Sequence, residues 1–208
     1  MDRDEPTIPE ALRRDLLHAR HVASDSAHDV VVSALASPHD HVRVLALRAG
    51  AAHDWLYAPD WERATSDASA QVRREVALLL ARHRDVLRGD ERLLTLLGDE
   101  DPLVVDAAAF ALGEWESASA VDQLIAVATS HDDARCRESA VAALGAIGDP
   151  RSAETVIAAL NDKPPVRRRA VVALTNFEGP EIDAALDAAR EDRDWQVRAA
   201  IDQLDRDD

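Results

Sequence analysis

Lysine is almost missing from this chain: of 24 basic residues, Lys163 is the one lysine. Cysteine is as scarce. Cys136 stands alone, which excludes an internal disulfide and fits a reducing compartment, and its place in a helical apolar stripe suits a small buried hydrophobe. Only seven of 208 residues are aromatic, so the core must be built from Ala, Val and Leu, side chains that let helices approach closely. No apolar run reaches the roughly 18 residues of a membrane span, and the acidic start MDRDEP is the reverse of a secretory leader. A cytoplasmic protein is expected, with no membrane contact. Nucleophile elbows, glycine-rich phosphate loops and paired CxxC sites are all lacking, so the sequence offers no catalytic residue, no metal ligand set and no cofactor. His39 and His41 in the turn SPHDH have no third ligand at matching spacing.

Acid dominates what remains: 40 carboxylates give a net charge of −16, which keeps a chain soluble and repels nucleic acid and anionic membranes. Against that background a two-helix unit repeats. From His131 to Thr175, the helical-period runs CRESAVAAL, AETVIAAL and VRRRAVVAL are joined by GDPRS and NDKPP, both rich in helix stops and caps. An apolar residue followed by Arg opens CRESAVAAL, and the same mark recurs along the chain. The marks are Leu12-Arg13, Val42-Arg43, Val72-Arg73, Val104-Val105, Cys136-Arg137, Val166-Arg167 and Val197-Arg198, spaced by 30, 30, 32, 32, 30 and 31 residues. Such a period accommodates two helices of about 12 residues and two short turns, and it marks an array of repeats. An array needs only neighbour contacts, so residues 1–208 are expected to form one domain. Residues 1–24 are a polar tail and capping helix, 25–205 six repeats, and 206–208 an acidic tail. The capping helix is expected to start at the box Thr7-Ile-Pro-Glu10 and to reach about Ala23.

The segment IGDPRSAETVIAALND followed by VRRRAVVAL resembles a HEAT-repeat unit of the short type found in phycobilin-lyase-like proteins. The resemblance implies an all-α fold, a right-handed α-solenoid of about six two-helix repeats plus the N-terminal capping helix. It further implies that the arginines after each mark pair with turn aspartates, candidates being Asp67, Asp133, Asp162 and Asp194. Val105 departs from that ladder. Function is left open, because such repeats serve as scaffolds, enzymes and nucleic-acid binders alike. HEAT-like deoxyhypusine hydroxylases carry His-Glu pairs as iron ligands; the corresponding places here are Glu138-Ser139 and Arg168-Arg169. No residue is matched that would carry over phycobilin-lyase activity.

On a 3.6-residue wheel, each mark and the positions four and seven or eight beyond it face the core, so Ala140, Ala143 and Leu144, with Ile147 one turn further along the same stripe, should be buried. Positions two, three and six point away, onto what the resemblance makes the concave face. Position six of successive second helices reads Leu78, Phe110, Ala142 and Val172, an apolar row beside Asp106, Glu138 and the arginines Arg74, Arg168 and Arg169. An apolar strip rimmed by arginine has the composition of an interface centre. These nine residues are the expected binding groove of a non-catalytic scaffold whose partner is another protein, a segment with acidic residues beside an apolar anchor. The alternative is a nucleic-acid binder resembling HEAT-like DNA glycosylases, with Trp55, Trp61 and Trp115 stacking beside Arg168 and Arg169. The acid excess opposes it, since duplex binding rests largely on phosphate neutralisation. Trp55, Tyr57 and Trp61, around Pro59, form either a binding patch or a plug between imperfect repeats.

Overall fold

The computed structural model describes residues 9–84 and 90–207. Among them are thirteen α-helices and no strand, in two compact units, Met1–Arg88 and Gly89–Asp208. The first unit holds α1 (Glu10–Ala19), α2 (Asp25–Ala34), α3 (Asp40–Ala51), α4 (Ala58–Thr65) and α5 (Ala70–Leu80). The second holds α6 (Glu91–Leu97), α7 (Pro102–Glu114), α8 (Val121–Ser130), α9 (Ala134–Ile147), α10 (Ala153–Ala158), α11 (Pro164–Leu174), α12 (Pro180–Ala189) and α13 (Trp195–Asp207). After α1 they pair as the sequence period predicts. No described helix is long and apolar enough to cross a membrane.

Local chemistry sets the ends. Ser24 accepts the Ala27 amide at the start of α2, and Asp101 and Asp133 accept the amides of Leu103 and Arg135 to open α7 and α9. Pro102 and Pro164 occupy first-turn positions where no amide is missed. Gly148 ends α9 in the left-handed region at φ 65°, which a residue without Cβ adopts at little cost.

Four boundaries differ from expectation. Helix α1 stops at Ala19, short of Ala23, because the next helix needs its cap Ser24 extended at φ −155° and the intervening His21, Val22 and Ala23 are exposed with nothing to pack on. Pro9 precedes that helix rather than lying inside it, and Thr7 falls outside the described residues. The helical-period run AETVIAAL is not one regular helix but the short α10 with a 3₁₀ turn on either side, Pro150–Ser152 and Ala159–Asn161. At the other end α13 runs on to Asp207, through residues expected to be tail.

Within the second unit, α9 lies between α7 and α11. Ala140, Ala143 and Leu144 are buried as the wheel requires, while Ile147, in the last turn, is half-buried. Glycine makes the closest approach possible: a Cβ on Gly145 would sit 2.5 Å from the Ala173 Cβ and 2.7 Å from its Cα. Gly145→Ala should therefore lower stability by about 1–3 kcal/mol through overpacking, more than the roughly 1 kcal/mol gained by removing a helical glycine. Gly98→Ala is the control, since its Cβ would meet nothing nearer than 3.6 Å. Equal denaturation midpoints for the two variants would show that α9 and α11 can separate freely.

Three of the six arginines after the marks form the rungs of a ladder. Arg43 donates two bonds to Asp67 (2.8 and 2.6 Å), Arg137 two to Asp162 (2.6 and 2.7 Å) and Arg167 two to Asp192 (2.8 and 2.7 Å). The third arm of each reaches back to a carbonyl of its own turn, on Ser37, His131 and Asp162 respectively. Each guanidinium thus clamps two consecutive turns. Two of the expected acceptors are otherwise engaged: Asp133 caps α9, and Asp194 takes the Gln196 amide at the start of α13, leaving Asp192 to Arg167.

Candidate docking face on the second unit

Helices α7, α9 and α11 each turn one stripe of the same register outward. Phe110 on α7 and Val172 on α11 are 51% and 44% exposed, large apolar side chains that no other part of the second unit covers. Ala142 on α9 is half-buried between them in register. Beside Phe110 opens a cavity of about 280 Å³, floored by Gly113, Ala142, Ala143 and Ala146 and walled by Phe110, Glu114, Glu138, Ser139 and Arg169. Small residues make this hollow for a packing reason. A Cβ on Gly113 would lie 2.9 Å from the Ala143 Cα, so α7 and α9 nearly touch there and no large side chain fills the space above.

Five of the nine expected groove residues, Phe110, Glu138, Ala142, Arg169 and Asp106, gather at or beside this cavity; Asp106 accepts the Ser139 hydroxyl. Arg168 and Val172 lie outward on α11. Arg74 and Leu78 belong to α5 of the first unit, exposed and half-buried respectively. Two further outward positions close instead: Val44 is buried, and Glu75 is 7% exposed because Arg48 donates two bonds to it at 2.7 and 2.6 Å. Burial there tracks the neighbouring helix, which a single-helix wheel does not contain.

Charge around the cavity also departs from expectation. Arg169 leans onto Glu138 at 3.6 Å, and Glu114 stands exposed with no partner among the described residues. The rim is therefore more acidic than basic, where arginine was expected to prevail. Glu114 escaped notice in the sequence although it lies one helical turn beyond Phe110, on the same face by the i, i+4 rule.

The aromatic cluster divides. Trp61 is 1% exposed and plugs the first unit, its indole N–H without an acceptor among the described residues; Tyr57 is exposed, and half-buried Trp55 packs on the rings of His28 and His53 at 5.4 and 4.6 Å. Trp115 is buried too, so two of the three tryptophans needed for base stacking face a core. Pro59 lies in the first turn of α4, which begins at Ala58 after the non-helical residues 55–57. His39 and His41 stack at 5.6 Å, and no group of three potential metal ligands occurs among the described residues. Cys136 is buried, donates to the Pro102 carbonyl at 3.2 Å, and has its thiol pKa pushed up to about 11 by desolvation, which makes it inert.

A family model for HEAT repeats matches residues 58–143, 90–175 and 140–205. No curated protein matches the chain in sequence. Among solved structures, YibA of E. coli superposes with a TM-score of 0.62 at 16% identity, covering 97% of this chain and 75% of that one. An engineered protein gives 0.61 at 20% identity, covering 97% and 64%, and a designed armadillo repeat protein 0.54 at 16%, covering 92% and 97%. At these identities the likeness concerns the fold, a helical-repeat solenoid.

Proposed function

Because the chain belongs to the HEAT-repeat family, a fold that is typically a non-catalytic interaction scaffold, we propose that it binds a segment of another protein on the outward face of α7, α9 and α11. The observation that carries this reading is half-exposed Phe110 at the lip of a hollow floored by alanine and glycine. Leaving half of a phenylalanine in water beside an empty apolar surface forgoes roughly half of the about 1.5–3 kcal/mol that full burial is worth, which a docking segment recovers. The hollow is below the roughly 300–1,000 Å³ of small-molecule sites and suits one side chain.

The proposal includes that the six repeats act as one domain, in support of which the first family match, residues 58–143, runs through the junction of the two units in sequence. It also places the protein in the cytoplasm, in keeping with a single cysteine that forms no structural bridge.

The test is selection of short random peptides displayed against the full chain. Enriched peptides should lose about 2 kcal/mol or more of affinity on Phe110→Ala, as expected when an aromatic hot spot is truncated. They should also be excluded by Ala142→Arg, which fills the hollow. Both variants should keep the wild-type circular-dichroism spectrum. Peptides indifferent to both changes would move the binding site off this face.

A further inference from the structure

Resting on that docking face, we infer that the residue it receives is basic, an arginine from a partner segment, with its guanidinium over the ring of Phe110 and paired with Glu114. Phe110 and Glu114 are four residues apart on α7, so ring and carboxylate neighbour one another on one face. The ring is half-exposed and the carboxylate exposed without a partner among the described residues, a pairing that leaves an aromatic face and an anion free together.

Glu138 on α9, across the hollow, and Asp106 on α7, one turn before Phe110, add two carboxylates; Arg169 balances the first at 3.6 Å, and the Ser139 hydroxyl occupies the second without neutralising it. The local balance is negative, and the chain as a whole carries −16, so a cation is attracted at long range and compensated on arrival. An acidic side chain would face Glu114 and Glu138 at once.

Shape agrees with charge. The floor at Ala142 is apolar and suits the methylene stem of a long basic side chain, which buries its stem and keeps its head at the rim. The rim offers an aromatic ring and a carboxylate. A planar guanidinium stacks on the first and forks onto the second in a way that an ammonium does not, which favours arginine over lysine.

The same display selection decides this, read now for peptide content. Peptides enriched by the wild-type chain should carry arginine next to an apolar residue, and replacing that arginine with citrulline, which keeps the shape and removes the charge, should weaken binding about tenfold or more. Glu114→Arg should weaken the arginine peptides by a similar factor and allow peptides with glutamate at that place to bind. Peptides that depend on Phe110 yet carry an acidic or purely apolar anchor, or that tolerate citrulline, would overturn the arginine while leaving the docking face intact. Enriched peptides insensitive to Phe110→Ala, or no enrichment at all, would overturn the face and the arginine together.

Discussion

Asp192→Ala should cost about 3–5 kcal/mol, because it strands a positive charge inside the protein. The Arg167 side chain is 4% exposed and that of Asp192 14%, and the two bidentate bonds are backed by a third from Arg167 to the Asp162 carbonyl. An exposed ion pair is worth at most about 1 kcal/mol, so the expected loss discriminates sharply between a clamp and an ornament. Replacing both partners, Arg167→Met with Asp192→Leu, should recover part of the loss by removing the stranded charge. Recovery stays incomplete, since Asp192 also accepts the Asp194 amide at 2.7 Å and shapes the turn.

The pair has a pH signature as well. Arg167 beside Asp192, and Arg137 beside Asp162, hold both carboxyls below the usual carboxylate range. A carboxyl with a depressed folded-state pKa stabilises the protein fully above its unfolded value of about 3.9, and that contribution fades as pH falls from there through the folded value. Denaturation midpoints of the wild type should therefore fall below about pH 4 more steeply than those of Asp192→Ala. Parallel curves, or a loss under about 1 kcal/mol at neutral pH, would reduce the ladder to surface pairing.

Leu144→Ala is the second large effect, at about 2–5 kcal/mol. Leu144 is 0% exposed on the helix that lies between α7 and α11, and truncating it opens a cavity in a layer whose backbones already touch at Gly145 and Ala173 and so have little room to close. Half-buried Ile147 one turn on should cost less when truncated. Chemical denaturation of the two variants side by side measures the difference. Leu144→Ala unfolding at the wild-type midpoint would mean that the register of α9 is rotated.

By itself the sequence determined the repeat. A mark such as Val166-Arg167 places a helix, its buried stripe and the arginine of a turn clamp, because helical period, capping and the choice of small core residues act within some thirty residues. It also showed Phe110, Ala142 and Val172 as an outward row. Tertiary structure decided everything that depends on a second helix. Arg167 takes Asp192 because Asp194 is spent on capping α13; Glu75 is buried because Arg48 of the preceding repeat covers it; Trp61 and Trp115 turn into cores. The hollow beside Phe110 exists because Gly113 meets Ala143 across two helices, and its acidic rim because Arg169 leans to Glu138. Each of these outcomes is a competition between partners separated by about one repeat in sequence. A wheel drawn for one helix contains only one of the competitors, and packing selects the other.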